Sequence, residues 1–521
     1  MDQDLYRGCS MGDLLLHATR RFPDRVLLVH GGRQITYRDF ARTLSQLIQA
    51  LESLGLRRGE GLVQLSANRP EAFMVQCACY MLGLRYTPLH PLGSVEDHAF
   101  IAHDSEARAL VVDERGFAPR AVEIAAGAPG LAHILAHGPA AGVTDLFALA
   151  AGYAPKPLRV AAREDDHALL VYTGGTTGRP KGVLHLHRSM VMNAMMTLAE
   201  WEWPREVRLL AATPITHAVG AMMVPTMLRG STVILQEGFE PAAFLDAVAR
   251  HRVTATFLVP TMIYVLLDHP STRQTDLSSL QLVIYGAAPM SPARLREAIG
   301  VFGPVFMQLY AQSEAPNTVT ALRIADHDPD RAERLASCGS PLAGIQVAIL
   351  DENGRECPQG EVGEICVRGP LVMEGYWKRP EETEKAFRHG WLHTGDMAYC
   401  DADDFYYIVD RLKDMIVSGG FNVFPREVED VLTAHPAVAM AAVIGVPDEK
   451  WGEAVKAVIV RKPGASVTED ELIRLVRERK GPVHAPKSVD FAETIPVTAL
   501  GKPDKKAVRA RYWGARMRQV N

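Results

Sequence analysis

Little in this 521-residue chain points to crosslinks, membrane spans or bulk polyanion binding. It has only seven cysteines, Cys9, Cys77, Cys79, Cys338, Cys357, Cys366 and Cys400, and no two of them form a CxxC pair. An odd, scattered set argues against a disulfide framework or a zinc site and fits a reducing cytoplasm. The longest apolar runs, such as AVAMAAVIGV (437–446), reach about half the ~20 residues a membrane span needs. The N-terminus, MDQDLYRGCSMGDLLLHATRRF, mixes acids, bases and polar residues and has no signal-peptide core. Neither sign of charge dominates: the formal net charge is −5, which gives no electrostatic footprint for nucleic acid. Low hydrophobicity is absent too, since 47% of residues are hydrophobic, ample for packed cores.

What is present is alternation. ALLVYTGG (168–175), RLLAATP (208–214), STVILQ (231–236), ATFLVP (255–260) and LQLVIYG (280–286) are short apolar strands. Helical patterns lie between them, as in ITYRDFARTLSQLIQALESLGL (35–56) and SPARLREAIGVF (291–302). Short buried strands alternating with helices imply layered α/β structure with largely parallel strands, and ligands gather at the carboxyl ends of such strands. The pattern changes near residue 410: a β-rich stretch, DENGRECPQGEVGEICVRG (351–369), precedes that point and a compact helix–strand unit follows it. The fold class expected is therefore α/β: a large N-terminal domain of layered subdomains over 1–412, and a small α+β C-terminal domain over 413–521.

The first α/β strand runs into YTGGTTGRPKGV (172–183). It is not a Walker loop, because Lys181 follows Gly178 by three residues and Gly182 stands where the magnesium-binding hydroxyl would be. Its chemistry still suits phosphate. Gly174, Gly175 and Gly178 let backbone N–H groups approach oxygens, Thr173, Thr176 and Thr177 add hydroxyls, and Lys181 adds a cation.

YTGGTTGRPKGV resembles the phosphate loop of the adenylate-forming superfamily, which includes acyl-CoA synthetases, firefly-type luciferases and peptide-synthetase adenylation domains. The resemblance runs from about residue 10 to about 515, with further motifs in order. It implies roles by position. TPITHAVG (213–220), read as the end of a strand, places His217, Val219 and Gly220 at the acid pocket, and YGAAP (285–289) lays Gly286, Ala287, Ala288 and Pro289 along adenine. In QLYAQSE (308–314) Tyr310 stacks on adenine, Ser313 bonds the α-phosphate and Glu314 holds Mg²⁺. Ala311 and Gln312 border the acid together with Gly286; Ala311 replaces the usual glycine and Ser313 the usual threonine. Asp396 of WLHTGD and Arg411 of YIVDRLKDMI take the ribose, with Ile408 beside the nucleotide. Lys413 is the expected hinge. Ser418, Gly419, Gly420 and Phe421, with Trp451, are expected to border a pantetheine channel, and Lys502 of TALGKPDKKAVR is the expected catalytic cation.

These roles imply two steps. A carboxylate attacks the α-phosphorus of ATP with Mg²⁺ present, and CoA thiol then displaces AMP from the acyl-adenylate. No acidic residue adjoins His217 to meet a substrate amine, so the expected substrate is an apolar monocarboxylic acid, whether fatty, alicyclic, polycyclic or aromatic. Two alternatives keep the first step: transfer to a carrier-protein phosphopantetheine supplied in trans, or a luciferase-like oxygenase. A catalytically dead nucleotide sensor is the reading from another class, disfavoured by the intact Lys181, Glu314, Asp396, Arg411 and Lys502.

Overall fold

The computed structural model describes residues 7–173, 180–411, 414–418, 421–448, 451–497 and 503–513, with the backbone alone at Arg411 and Asn422. Expected roles at Gly174, Gly175, Thr176, Thr177, Gly178, Lys413, Gly419, Gly420 and Lys502 lie outside the described residues.

Two large sheets dominate the N-terminal domain. In the first, of nine strands, Phe306–Gln312, Leu282–Gly286, Ala255–Leu258, Arg208–Ala211, Thr232–Leu235 and Val26–His30 run parallel, in that spatial order, with antiparallel strands at both edges. In the second, of eight strands, His167–Thr173, Arg85–Leu89, Gly61–Leu65, Ala107–Val112, His133–Ala136 and Thr144–Asp145 are parallel; Lys181–Leu186 and Gly375–Tyr376 close one edge antiparallel. One continuous core joins the sheets, drawing in Leu62 and Ala109 from one and Leu209 and Ile284 from the other. The helix Pro70–Leu82 lies in that core and buries every residue but Glu71. A helix that is apolar all round can be stable only when covered on all sides.

The strands expected at 168–175, 208–214, 231–236, 255–260 and 280–286 are present, as are the helices Tyr37–Ser53 and Pro292–Phe302. TPITHAVG departs from the expectation. The strand stops at Ala211, and His217 is the N-cap of the helix Ala218–Met227.

A four-stranded antiparallel sheet, Gln346–Leu350, Gly363–Arg368, Leu392–Cys400 and Tyr406–Arg411, completes this part of the chain. The next strand, Ile416–Ser418, belongs to a different, five-stranded sheet built on the long hairpin Val438–Asp448 and Gly452–Arg461. The apolar run at 437–446 thus falls largely in the strand Val438–Asp448, buried from Ala441 to Gly445, and among the described residues no helix is long and apolar enough to cross a membrane.

Asn68 holds the loop that carries His217. Its side chain donates to Thr213 O at 2.8 Å and accepts from Ile215 N at 2.8 Å, all within the buried core. Asn68→Ala leaves both backbone groups unpaired, at a cost of about 1–3 kcal/mol. We expect the apparent Tm to fall by about 1–4 °C, from about 2 cal/mol/K of unfolding entropy per residue over a domain of this size, measured by differential scanning fluorimetry. An unchanged Tm would remove Asn68 from this role.

Candidate functional site

Thr173 and Lys181 face each other as the last ladder pair of an antiparallel hairpin, so the glycine loop springs from a fixed base. The Lys181 ammonium pairs with Glu382 and lies 5.4 Å from the centre of the Tyr376 ring. The Tyr376 hydroxyl donates to Glu314 Oε1 at 2.8 Å. One tyrosine therefore ties the lysine of the loop to the acidic residue of QLYAQSE. Nothing in the sequence reading singled out Tyr376; its signal is only GY in a short strand pairing with Val183 and Leu184.

Ser313 and Glu314 form the two-residue turn between Phe306–Gln312 and Ala315–Leu322, with Gln312 and Ala315 paired across it. The buried His185 fixes this turn by a 2.8 Å bond from Nε2 to Ser313 O. Glu314 Oε2 has no hydrogen-bond partner among the described residues. That free oxygen suits Mg²⁺, which binds through one or two carboxylates and fills its shell with phosphate oxygens and water.

A second group forms around Asp396. This buried carboxylate accepts from the Tyr310 hydroxyl at 2.8 Å and from Gln312 Nε2 at 2.6 Å, both through Oδ2. Gln312 Nε2 also donates to Thr394 O at 2.8 Å. Asp396 is directly opposite Arg411 in the strand ladder, and Ile408 opposite Ala398. One expectation changes here. Gln312, expected at the acid, is turned onto Asp396. Tyr310, expected against adenine, is buried, with 8% of its surface exposed.

Gly286 ends its strand where an added Cβ would lie 2.4 Å from Leu309 O, so the neighbouring strand alone requires glycine. Beyond it Ala287 adopts φ +64°, and the turn Ala287–Ala288–Pro289 is open to solvent at the carboxyl ends of the parallel strands.

At the expected acid pocket His217 is half-buried. Its Nδ1 lies 2.8 Å from Thr216 Oγ1, and its ring meets His90 edge to face at 4.8 Å. His90 was missed, although it directly follows the carboxyl end of the strand Arg85–Leu89, where ligand contacts concentrate. Burial lowers its pKa, which favours a neutral ring. Ala311 is partly buried against the core. Val219 and Gly220 are corrections. Val219 has no exposed surface, and a Cβ on Gly220 would overlap the Ile215 carbonyl. Both positions answer to helix packing, not to room for a ligand.

In the small domain Ser418 pairs with Phe421 and with Gly452. This brings Phe421, 60% exposed, and Trp451, 37% exposed, to the same end of the sheet.

Burial lowers the His185 pKa to about 4, against the smaller opposing effect of its bond to Ser313. The unfolded chain therefore binds one more proton than the folded one between pH 6.5 and 4. Stability from this group is complete above 6.5 and is lost as pH falls toward 4. His185→Gln should show a shallower fall in Tm over that window than the parent; identical slopes would contradict the burial argument.

A family profile described as AMP-binding enzyme matches residues 15–377, and one described as AMP-binding enzyme C-terminal domain matches residues 427–502. A medium/long-chain-fatty-acid–CoA ligase of Mycobacterium tuberculosis is 49% identical, covering 98% of this chain and 91% of its own. A feruloyl-CoA synthase of an Amycolatopsis species is 40% identical over 97% of this chain and 100% of its own. Among solved structures, the amide bond synthetase McbA from Marinactinospora thermotolerans superposes with a TM-score of 0.89 at 35% identity, covering 96% of this chain and 100% of that one. With both profiles matched in order and near-complete coverage of its relatives, the chain belongs to the AMP-binding enzymes of the adenylate-forming superfamily.

Proposed function

We propose that the chain is an AMP-forming acyl-CoA synthetase acting on an apolar monocarboxylic acid, with ATP, Mg²⁺ and CoA as its other requirements. The observation that carries this reading is the convergence of Lys181, Tyr376 and Glu314 at the base of the 173–181 hairpin. A cation and a metal-competent carboxylate, joined through one tyrosine, form the polar mouth that a triphosphate needs.

The acid approaches past His217 and His90, and its carboxylate attacks the α-phosphorus as pyrophosphate leaves. Lys181 exchanges Glu382 for phosphate oxygen. Ser313 supplies a hydroxyl to the α-phosphate, and Asp396 with Arg411 orients the ribose. Mg²⁺, held by Glu314, neutralises phosphate charge when bound. Lys502 bridges carboxylate and α-phosphate, offsetting charge as it concentrates in the transition state.

The domain boundary we propose falls at residues 412–413, where the chain leaves one sheet for another. Asp410, on the near side, accepts from Arg426 N at 3.0 Å and lies 3.8 Å from Lys505 Nζ. On the far side Asp414 pairs with Arg509 at 2.9 Å. Rotation about Lys413 breaks the first set and keeps the second. It withdraws Lys502 and presents the Ser418–Phe421 edge with Trp451, along which pantetheine reaches the acyl-adenylate.

The apolar acid class has three supports. The helix following His217 carries no charged residue, Ala311 narrows the pocket by a methyl group, and the two relatives named above are ligases of fatty and feruloyl acids. A cytoplasmic setting accords with seven unpaired cysteines.

AMP release that requires both an apolar acid and CoA, with no carrier protein added, tests the acceptor; AMP release only with a carrier protein contradicts it. Lys502→Ala should slow pyrophosphate release by about a hundredfold or more yet spare thioester formation from supplied acyl-AMP. Lys413→Pro should do the reverse, because a fixed φ blocks rotation. Equal loss of both half-reactions in either variant removes the role given to that lysine.

A further inference from the structure

The Asp396 carboxylate is carried on an irregular piece of strand. Glu364 pairs with Met397 and Cys366 with His393, so a single residue, Ile365, opposes three: Thr394, Gly395 and Asp396. A bulge of this kind leaves backbone groups without ladder partners and re-aims a side chain. Gly395 takes φ +72° within it.

One side chain repairs the ladder. Glu364 Oε1 accepts the Gly395 N–H at 2.7 Å, and Oε2 accepts from His393 Nδ1 at 2.6 Å. The carboxylate therefore clamps the residue before the bulge and the glycine at its centre. Thr394 completes the stitching, donating its hydroxyl to Ile365 O at 2.6 Å and accepting from Asp396 N at 3.1 Å. Glu364 is largely shielded, with 13% of its side chain exposed, and His393 has 5% exposed. Arg388 stands 3.7 Å from Glu364 Oε2. Hydrogen bonds to a carboxylate are shorter and stronger than neutral ones, so the clamp is stiff.

We propose that Glu364 is a positioning residue for nucleotide binding: by fixing the Thr394–Asp396 bulge, it aims the Asp396 carboxylate at the ribose hydroxyls of ATP. This rests on the reading of Asp396 as the ribose ligand, and the test separates the two. Glu364 touches no substrate. It acts through the two residues that flank Thr394.

The probes are ATP and 2′,3′-dideoxy-ATP, with KM and kcat measured for each at saturating acid. In Glu364→Ala the KM for ATP should rise about tenfold, while the KM for the dideoxy analogue and kcat move less than about threefold, because only the ribose contact is lost. The parent's discrimination between the two nucleotides collapses, and the KM for the acid stays unchanged. Glu364→Gln should restore the discrimination: its oxygen still accepts from Gly395, and its amide donates to His393 Nδ1 in the other tautomer. Glu364→Asp, which keeps the charge but is one methylene too short, should behave like the alanine variant and carries the test if that variant fails to fold. Asp396→Ala is the reference. If it loses discrimination while Glu364→Ala and Glu364→Asp keep it, the positioning role is overturned and the ribose reading stands. If Asp396→Ala itself keeps discrimination, the ribose reading falls and the proposal with it.

Discussion

The architecture turns on one buried carboxylate shared between sheets. Asp396 belongs to the four-stranded antiparallel sheet, yet its Oδ2 receives Tyr310 and Gln312 from the nine-stranded one. A buried charge is tolerated only when hydrogen-bonded, so the two sheets cannot drift apart without stranding it. Burial and the adjacent Asp396 charge both push the Tyr310 hydroxyl well above its ordinary pKa, which keeps it a proton donor to that carboxylate. The junction fixes where the carboxyl ends of the parallel strands lie relative to the strand that leads into the small domain.

From this junction the remaining groups fall into order. The turn bearing Ser313 and Glu314 begins one residue after Gln312 and is pinned from the other sheet by His185. Tyr376 then ties Glu314 to Lys181 and so to the glycine loop. The groups proposed to meet the nucleotide are thus connected by short bonds through strands, whereas Asp410 meets the C-terminal part of the chain through Arg426 N and Lys505. The two-step reaction proposed above calls for such a frame beside a domain that turns.

Much of this was legible in the sequence because it depends on local pattern. The strands at 168–175 and 280–286 are apolar runs ending in glycine, and the helices at 37–53 and 292–302 carry a helical apolar period. Less legible were features set by contacts distant in the chain. Gly220 and Gly286 read as pocket lining, and the sequence did not show that a Cβ at either would strike a carbonyl, of Ile215 and Leu309 respectively. Gln312 read as pocket wall because it neighbours Ala311; only the strand at 392–400 shows that it turns to Asp396. Tyr376, His90, Asn68 and Glu364 carry no motif in this reading, and they matter through partners dozens to hundreds of residues away. TPITHAVG read as a strand end, though a buried asparagine and a helix N-terminus shape it.

The central claim is that this frame activates a carboxylic acid as its adenylate before any thiol arrives. Exchange of labelled pyrophosphate into ATP tests it most directly. With an apolar monocarboxylic acid and Mg²⁺ present and CoA left out, the account predicts rapid exchange that stops when the acid is withheld. Exchange that needs CoA, or none across fatty and aromatic acids alike, would contradict it.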